Sequence, residues 1–146
     1  MALYSALLIS SYIIDYYDRT GRLVSNLKLQ KLLYFVQAEF LVATGHPCFS
    51  EVIEAWDFGP VVPVVFYEYS IYGAAFIPHK KIMSVTPNHI ESGHRKLIDN
   101  ILEALSSYSS PHLVKITTEQ SPWKRAYRPW RKCEIPHQAI KDFFWE

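Results

Sequence analysis

The chain has 146 residues, of which 49% are hydrophobic and 15% aromatic, and its formal net charge is +1. This length favours a single domain that buries a sizeable core without metal or disulfide staples, and the composition is that of a globular chain in which disorder is expected only at the ends. A charge near zero provides no overall attraction to nucleic acid or membranes, so any such role requires a local patch. The two cysteines, Cys48 and Cys133, have neither metal-ligand nor redox spacing, which favours the cytoplasm.

The first predicted element is a core helix from Leu3 to Arg19. Its apolar side chains cover more than one helical stripe, so most of its surface is expected to be covered. Asp15 and Asp18 interrupt the apolar run before it could span a membrane, and no basic segment precedes it. Neither a membrane anchor nor a signal peptide is therefore expected.

A second long helix is predicted over residues 26–44, with Ser25 as its N-cap and Gly45 as its stop. Its apolar stripe includes Leu29 and Leu33. The charged side chains of this segment lie away from that stripe: Lys28, Lys31 and Glu39.

The central stretch Glu54–Pro63 reads EAWDFGPVVP and predicts a strand, a sharp turn and a helix start. Trp56 and Phe58 alternate with Asp57 as in a strand, Gly59-Pro60 breaks the chain, and Pro63 suits the first turn of a helix. Trp56 is predicted to anchor the core at this junction, because tryptophan is usually largely buried. The alternative is that the same rigid stretch serves recognition.

The strand is expected to run from Glu51 to Trp56 and to pair with an edge strand over residues 77–85. A short third helix is predicted over residues 61–72. A fourth begins at Thr86-Pro87 and reaches Tyr108, and three shorter helices begin near Ser110, Ser121 and Pro136. The predicted fold is mainly α: residues 1–146 form a single compact domain of five to seven helices with a small two-stranded antiparallel β-pair.

Catalytic, metal and nucleotide sites have little support in these residues. Cys48 has only His46 close in sequence and lacks a nucleophile-turn motif, so it is read as a small core residue. His89 and His94 are five residues apart on a helix and point in different directions, which disfavours a shared metal. The glycines are scattered singly and form no phosphate loop. We therefore expect neither an enzyme nor a cofactor-binding protein.

Two motifs carry a resemblance to a known family. Residues 25–35 (SNLKLQKLLYF) followed by Glu54–Pro63 resemble the SocA-like antitoxin domain, also called the Panacea domain, which occurs in phage-associated GepA-type proteins. Residues 121–126 (SPWKRA) are similar to the Pro-Trp motif of that family. One departure is visible: the family often has a Thr-His pair before the Pro-Trp motif, and here Thr117-Thr118 stands in its place, so any role of that histidine is absent.

The resemblance implies a cytoplasmic bacterial or prophage-encoded protein that binds and neutralises a toxin encoded beside it. Some members act as adaptors that deliver the toxin to a protease, so a protease complex is a second implied partner. Structural positions of the motif are Leu29, Leu33, Trp56, Gly59 and Pro63.

A basic aromatic run extends from Trp123 to Lys132 and contains five cations and three large rings. Such interleaving suits single-stranded nucleic acid, an acidic protein partner, or a solvated face that covers a buried Trp123. The near-zero net charge places nucleic acid behind a protein partner, and a nucleic-acid-binding phage or prophage regulator remains the alternative function.

The turn after the strand is the predicted recognition element. A proline-locked turn loses little entropy on binding, and aromatic side chains beside a cation dominate interface energies. The candidate partner-binding residues are Asp57, Phe58, Pro60, Tyr67, Tyr72, Trp123 and Arg125.

Overall fold

The computed structural model describes residues 2–79 and 89–145. Within them the chain forms seven α-helices, one 3-10 helix and a three-stranded antiparallel sheet, so the predicted mainly α fold is confirmed. In these ranges no helix combines the length and the apolarity needed to cross a membrane. The helices are α1 (Ala6–Arg19), α2 (Asn26–Thr44), α3 (Pro63–Glu68), α4 (Ser92–Leu105), α5 (Ser110–Thr118), α6 (Ser121–Ala126) and α7 (His137–Phe144).

Helix α2 is the centre of the fold and has the predicted bounds. Ser25 Oγ accepts a hydrogen bond from the Lys28 backbone N–H at 3.2 Å, which satisfies one free donor of the first turn. Gly45 ends the helix with φ 79°, a left-handed conformation that glycine adopts without steric cost. Helices α1, α3, α4, α5 and α7 all pack against α2, so most of its surface is covered.

Three helices are shorter than predicted. Helix α1 begins at Ala6 because Ser5 caps it, with Oγ accepting from the Leu8 N–H at 3.1 Å. Helix α3 covers only the middle of the predicted segment, since Val61 belongs to a strand and Ser70–Tyr72 forms the 3-10 helix. Helix α4 starts at Ser92, and its predicted start at Thr86-Pro87 lies outside the described residues.

The sheet has the order β2-β1-β3, with β1 at Glu54–Trp56, β2 at Gly59–Val61 and β3 at Cys133–Glu134. The predicted partner strand for β1 is wrong. Glu54 pairs with Val61 on one side and with Glu134 on the other, so both edges of β1 are occupied. Residues 80–85 of that predicted partner lie outside the described residues, and Ile77 donates its backbone N–H to the Val24 carbonyl instead.

Helices α2 and α3 pack against each other, and both contribute side chains to the main core. Leu29, Leu33, Val36 and Val65 all belong to the main core, and their side chains are fully buried. Phe66 is only half-buried, because it turns toward an aromatic cluster at the surface. Helix α3 therefore links the core to that surface.

Candidate partner-binding surface

The central stretch folds as a tight β-hairpin followed directly by a helix. Trp56 in β1 pairs with Gly59 in β2, and Asp57 and Phe58 form the two-residue turn between them. Gly59 has φ 106°, a backbone conformation that residues with a Cβ rarely adopt. Pro63 then occupies the first turn of α3, as its fixed φ favours. The sequence pattern predicted the turn and the helix start but not strand β2.

A buried lysine supports the hairpin from below. Lys31 is fully buried, and its Nζ donates a hydrogen bond to the Pro60 carbonyl at 2.9 Å. The same ammonium lies 5.7 Å from the centre of the Phe58 ring. Burial lowers the pKa of Lys31 to about 7. Lys31 lies away from the apolar stripe of α2, as predicted, and is nevertheless buried, because α2 also has neighbours on that side.

Gly59 is placed where no side chain fits. A Cβ at this position would lie 2.7 Å from Lys31 Cε and 3.0 Å from Thr117 Oγ1. Thr117, the first residue of the Thr-Thr pair, is fully buried, and its hydroxyl donates to the Leu113 carbonyl at 2.8 Å. The glycine of the motif is therefore required by close packing between the hairpin, α2 and α5.

Amide side chains on α2 hold the chain after the hairpin. Gln30 Oε1 accepts a hydrogen bond from the Val62 N–H at 2.8 Å, and Asn26 Nδ2 donates to the Phe66 carbonyl at 3.0 Å. The two amides also bond each other at 2.9 Å. Burying an amide side chain costs free energy unless it is hydrogen-bonded. The i, i+4 spacing of Asn26 and Gln30 on a covered helix was therefore a sequence signal for this pairing, and hydrophobic periodicity alone does not detect it.

The two motifs that carry the family resemblance meet at the hairpin. Trp123 on α6 donates its indole N–H to the Trp56 carbonyl at 2.8 Å. Its ring stacks on Tyr127 with the ring centres 4.4 Å apart, and the Tyr127 hydroxyl donates to Asp57 Oδ1 at 2.5 Å. Helix α6 therefore bonds the last residue of β1 through Trp123, and Tyr127, which directly follows the helix, bonds the turn through Asp57.

Four rings form what we call the aromatic patch: Trp56, Phe58, Phe66 and Tyr67. The Trp56 ring centre lies 5.0 Å from that of Phe66, 5.9 Å from that of Phe58 and 6.1 Å from that of Tyr67. Trp56 is nearly buried, at 8% exposure, whereas Tyr67 is 57% exposed. Trp56 is therefore buried, as tryptophan usually is, and the rings around it reach the surface, so its role as a core anchor stays a prediction.

Lys132 lies over this patch. Its Nζ is 4.3 Å from the centre of the Trp56 ring and donates a hydrogen bond to the Tyr67 hydroxyl at 3.1 Å. A cation at this distance from an indole face is attracted by the ring quadrupole. The last residue of the basic run is therefore part of the aromatic patch surface and differs in environment from the rest of the run.

The other predicted partner-binding residues lie in different environments. Pro60 is buried, and its carbonyl accepts the hydrogen bond from Lys31. Tyr72 lies in the 3-10 helix and packs against the main core. Arg125 lines a groove of about 360 Å³ between α6 and α7, together with Pro122 and Asp142. The structure thus brings Asp57, Phe58, Tyr67 and Trp123 together at the hairpin.

Cys48 is a buried residue beside polar groups of α2. Its backbone N–H donates to Gln37 Oε1 at 2.7 Å, and burial raises the pKa of its thiol far above the ordinary value. A thiol held protonated is a poor nucleophile, in keeping with its interpretation as a small core residue.

Comparison with known proteins places this architecture. Residues 29–124 match the model of the family described as "Antitoxin SocA-like, Panacea domain". The chain is 36% identical over 110 residues to Antitoxin SocA of Caulobacter vibrioides (strain NA1000 / CB15N), a match that covers 68% of this chain and 58% of that relative. No solved structure matches the chain. The family match covers most of the chain and includes the hairpin and Trp123, so this protein belongs to the SocA-like antitoxin family with a Panacea domain.

Proposed function

We propose that the chain is an antitoxin that binds and neutralises a cognate protein toxin encoded nearby, and that the aromatic patch is its contact surface. The observation that carries this proposal is the junction of the two motifs, where the Trp123 indole bonds the Trp56 carbonyl at 2.8 Å. The two family motifs meet at a surface where aromatic rings are partly exposed. This arrangement fits recognition better than packing alone, because packing does not require exposed rings.

The patch has the physical properties of a binding site. Lys31, Gly59 and Trp123 hold the hairpin in one conformation, so little entropy is lost when a partner binds. Exposed atoms of Tyr67, Asp57 and Lys132 surround the nearly buried Trp56. Large aromatic side chains with a charged rim are the usual energetic centre of protein interfaces.

Individual residues have distinct parts in this proposal. Asp57, Phe58, Tyr67 and Trp123 contact the toxin or hold the residues that do. Pro60 supports the turn from inside, since it is buried. Tyr72 and Arg125 would contribute at the edge of a larger interface, the first after α3 and the second at the groove between α6 and α7.

The proposed mechanism is binding without catalysis, in the cytoplasm. The buried, protonated Cys48 supports this view, because it offers no activated nucleophile. Delivery of the bound toxin to a protease is a finer form of the proposal. It predicts that the toxin has a shorter half-life in cells when the antitoxin is present, and that the difference disappears when the protease is deleted.

The direct test measures binding of the purified toxin candidate, the product of the adjacent open reading frame, to wild type and to Tyr67→Ala. Tyr67 is half-exposed, so its truncation should weaken binding about tenfold or more while the melting temperature stays close to that of wild type. The matched control is Leu23→Ala, which truncates an apolar side chain, 66% exposed, between α1 and α2.

Two results would count against the proposal. If wild type does not bind the adjacent gene product, the antitoxin function by direct binding is wrong. If Tyr67→Ala and Leu23→Ala bind equally well, or if every weakened variant of the patch is also unfolded, the patch is a packing junction and the contact surface lies elsewhere.

A further inference from the structure

The basic run contains a turn that places a tryptophan at its tip, and we call residues 128–131 (RPWR) the basic turn. The Arg131 N–H donates to the Arg128 carbonyl at 3.2 Å, and the two residues form an isolated antiparallel bridge. Pro129 occupies the second position and Trp130 the third, with φ 68°. This is the pattern of a type II β-turn, whose third position requires positive φ and usually holds glycine or asparagine.

Folding alone does not explain a tryptophan at this position. Trp130 is fully exposed, at 101%, so its ring removes no apolar surface from water within this chain. Among the described residues it is the one non-glycine residue with positive φ, a conformation that is unfavourable for a bulky side chain. Glycine would suit the turn better on both counts.

The surroundings of Trp130 are strongly basic. Residues 120–133 contain Lys124, Arg125, Arg128, Arg131 and Lys132 and no aspartate or glutamate, although the whole chain carries a charge of only +1. Arg128 is partly committed to the turn, because its Nη1 donates to the carbonyls of Arg125 and Tyr127 at 3.0 and 2.7 Å. Positive charge is therefore concentrated in sequence around one fully exposed indole.

The arrangement of the rings favours a protein over a single-stranded nucleic acid. A nucleic-acid track uses successive exposed rings on which bases stack. Here Trp123 and Tyr127 stack on each other, and their polar atoms bond Trp56 and Asp57. Only Trp130 of the three rings is fully exposed, which is the geometry of a single anchor that enters a pocket.

We propose that the basic turn inserts Trp130 into an apolar pocket rimmed by acidic side chains on the toxin. This inference rests on the proposed function, since it describes a second contact with the same partner. Lys132 follows the turn directly and covers Trp56, so the basic turn and the aromatic patch adjoin through one residue. One toxin surface can therefore reach both.

The experiment compares toxin binding and melting temperature of wild type, Trp130→Gly and Trp145→Ala, with the adjacent gene product as the probe. Trp130→Gly should weaken binding about tenfold or more, with an unchanged or higher melting temperature, because glycine suits the positive φ. Trp145→Ala removes another exposed tryptophan, outside the turn, and should bind within about twofold of wild type. Arg131→Glu should weaken binding and reduce its dependence on salt.

Three outcomes would overturn the inference alone, and a fourth would overturn the proposed function with it. If Tyr67→Ala loses binding and Trp130→Gly does not, the basic turn is not a contact while the patch remains one. If Trp130→Gly and Trp145→Ala lose binding equally, the effect is not specific to the turn. If an oligothymidylate binds at physiological salt and only that binding depends on Trp130, the turn serves nucleic acid. Failure of wild type to bind the toxin removes both proposals.

Discussion

Gly59 and Trp130 both have positive φ, yet their environments are opposite. Gly59 is buried, and a Cβ there would lie 2.7 Å from Lys31 and 3.0 Å from Thr117. Trp130 is fully exposed at the tip of the basic turn, where its large side chain extends into solvent. Packing requires a glycine at position 59, whereas no packing contact within the chain accounts for a tryptophan at position 130. Such a contrast separates a structural requirement from a functional one.

The comparison predicts that Gly59→Ala has the largest effect on stability. The new Cβ would clash with Lys31 and Thr117, and φ 106° would strain an alanine, so a loss of about 4 kcal/mol in unfolding free energy is expected. Chemical denaturation measures it. Gly45→Ala is the matched control, because Gly45 also has positive φ but a Cβ there would have no heavy atom within 4 Å outside the neighbouring backbone.

The control should lose only the backbone part of that free energy, about 1 kcal/mol. If Gly59→Ala and Gly45→Ala lose the same unfolding free energy, crowding beneath the hairpin does not contribute to stability. The close approach of Lys31 and Thr117 would then not explain why the motif has a glycine.

The second prediction concerns the pH dependence of stability. The pKa of Lys31 is about 7 in the folded protein, well below its unfolded value, so between these values the unfolded state binds one proton more. Stability from this group is therefore lost as pH falls from about 10 to about 7, and no further change follows below that range. Lys31→Met keeps most of the volume and removes the titrating amine.

The unfolding free energies of wild type and Lys31→Met should diverge by about 1.4 kcal/mol per pH unit across this window. Lys96→Met, which removes an exposed lysine from α4, controls for the loss of one charge and should show the wild-type slope. Parallel curves for wild type and Lys31→Met would mean that Lys31 stays charged in the folded protein.

A smaller effect is expected where α6 meets the hairpin. Trp123→Phe removes the indole N–H that bonds the Trp56 carbonyl, and it keeps an aromatic ring against Tyr127. A loss of about 1–2 kcal/mol is expected, the usual effect of leaving a partly buried acceptor unpaired. Thermal unfolding would detect it, and an unchanged melting temperature would show that water replaces the indole at no cost.

The smallest effect on stability belongs to the basic turn, and its sign is opposite. Trp130→Gly should leave the unfolding free energy unchanged or raise it by up to about 1 kcal/mol, since glycine tolerates positive φ. Trp130→Ala is the companion variant, because it removes the indole but keeps a Cβ. If Trp130→Gly is less stable than Trp130→Ala, the backbone at this position is not strained.

Local signals in the sequence were enough to predict most helices and the motif. Ser25 and Gly45 define α2 because capping depends on a few neighbouring atoms. Pro63, Pro111 and Pro122 mark helix starts for the same reason, since proline suits the first turn. The residues of the central stretch also carried the family resemblance. The function that this resemblance implies could not be derived from helical or strand periodicity.

Strand pairing and the environment of charged residues depended on tertiary structure. Cys133–Glu134 is too short to show an alternating pattern, so its pairing with β1 could be recognised only after the chain had folded. The burial of Lys31 could not be predicted, because helical periodicity reports one apolar stripe, whereas five helices pack around α2. Long-range packing likewise decided that Trp56 contacts Trp123 and that Trp130 is the one fully exposed ring of the basic run. Sequence spacing carries no information about which distant elements touch.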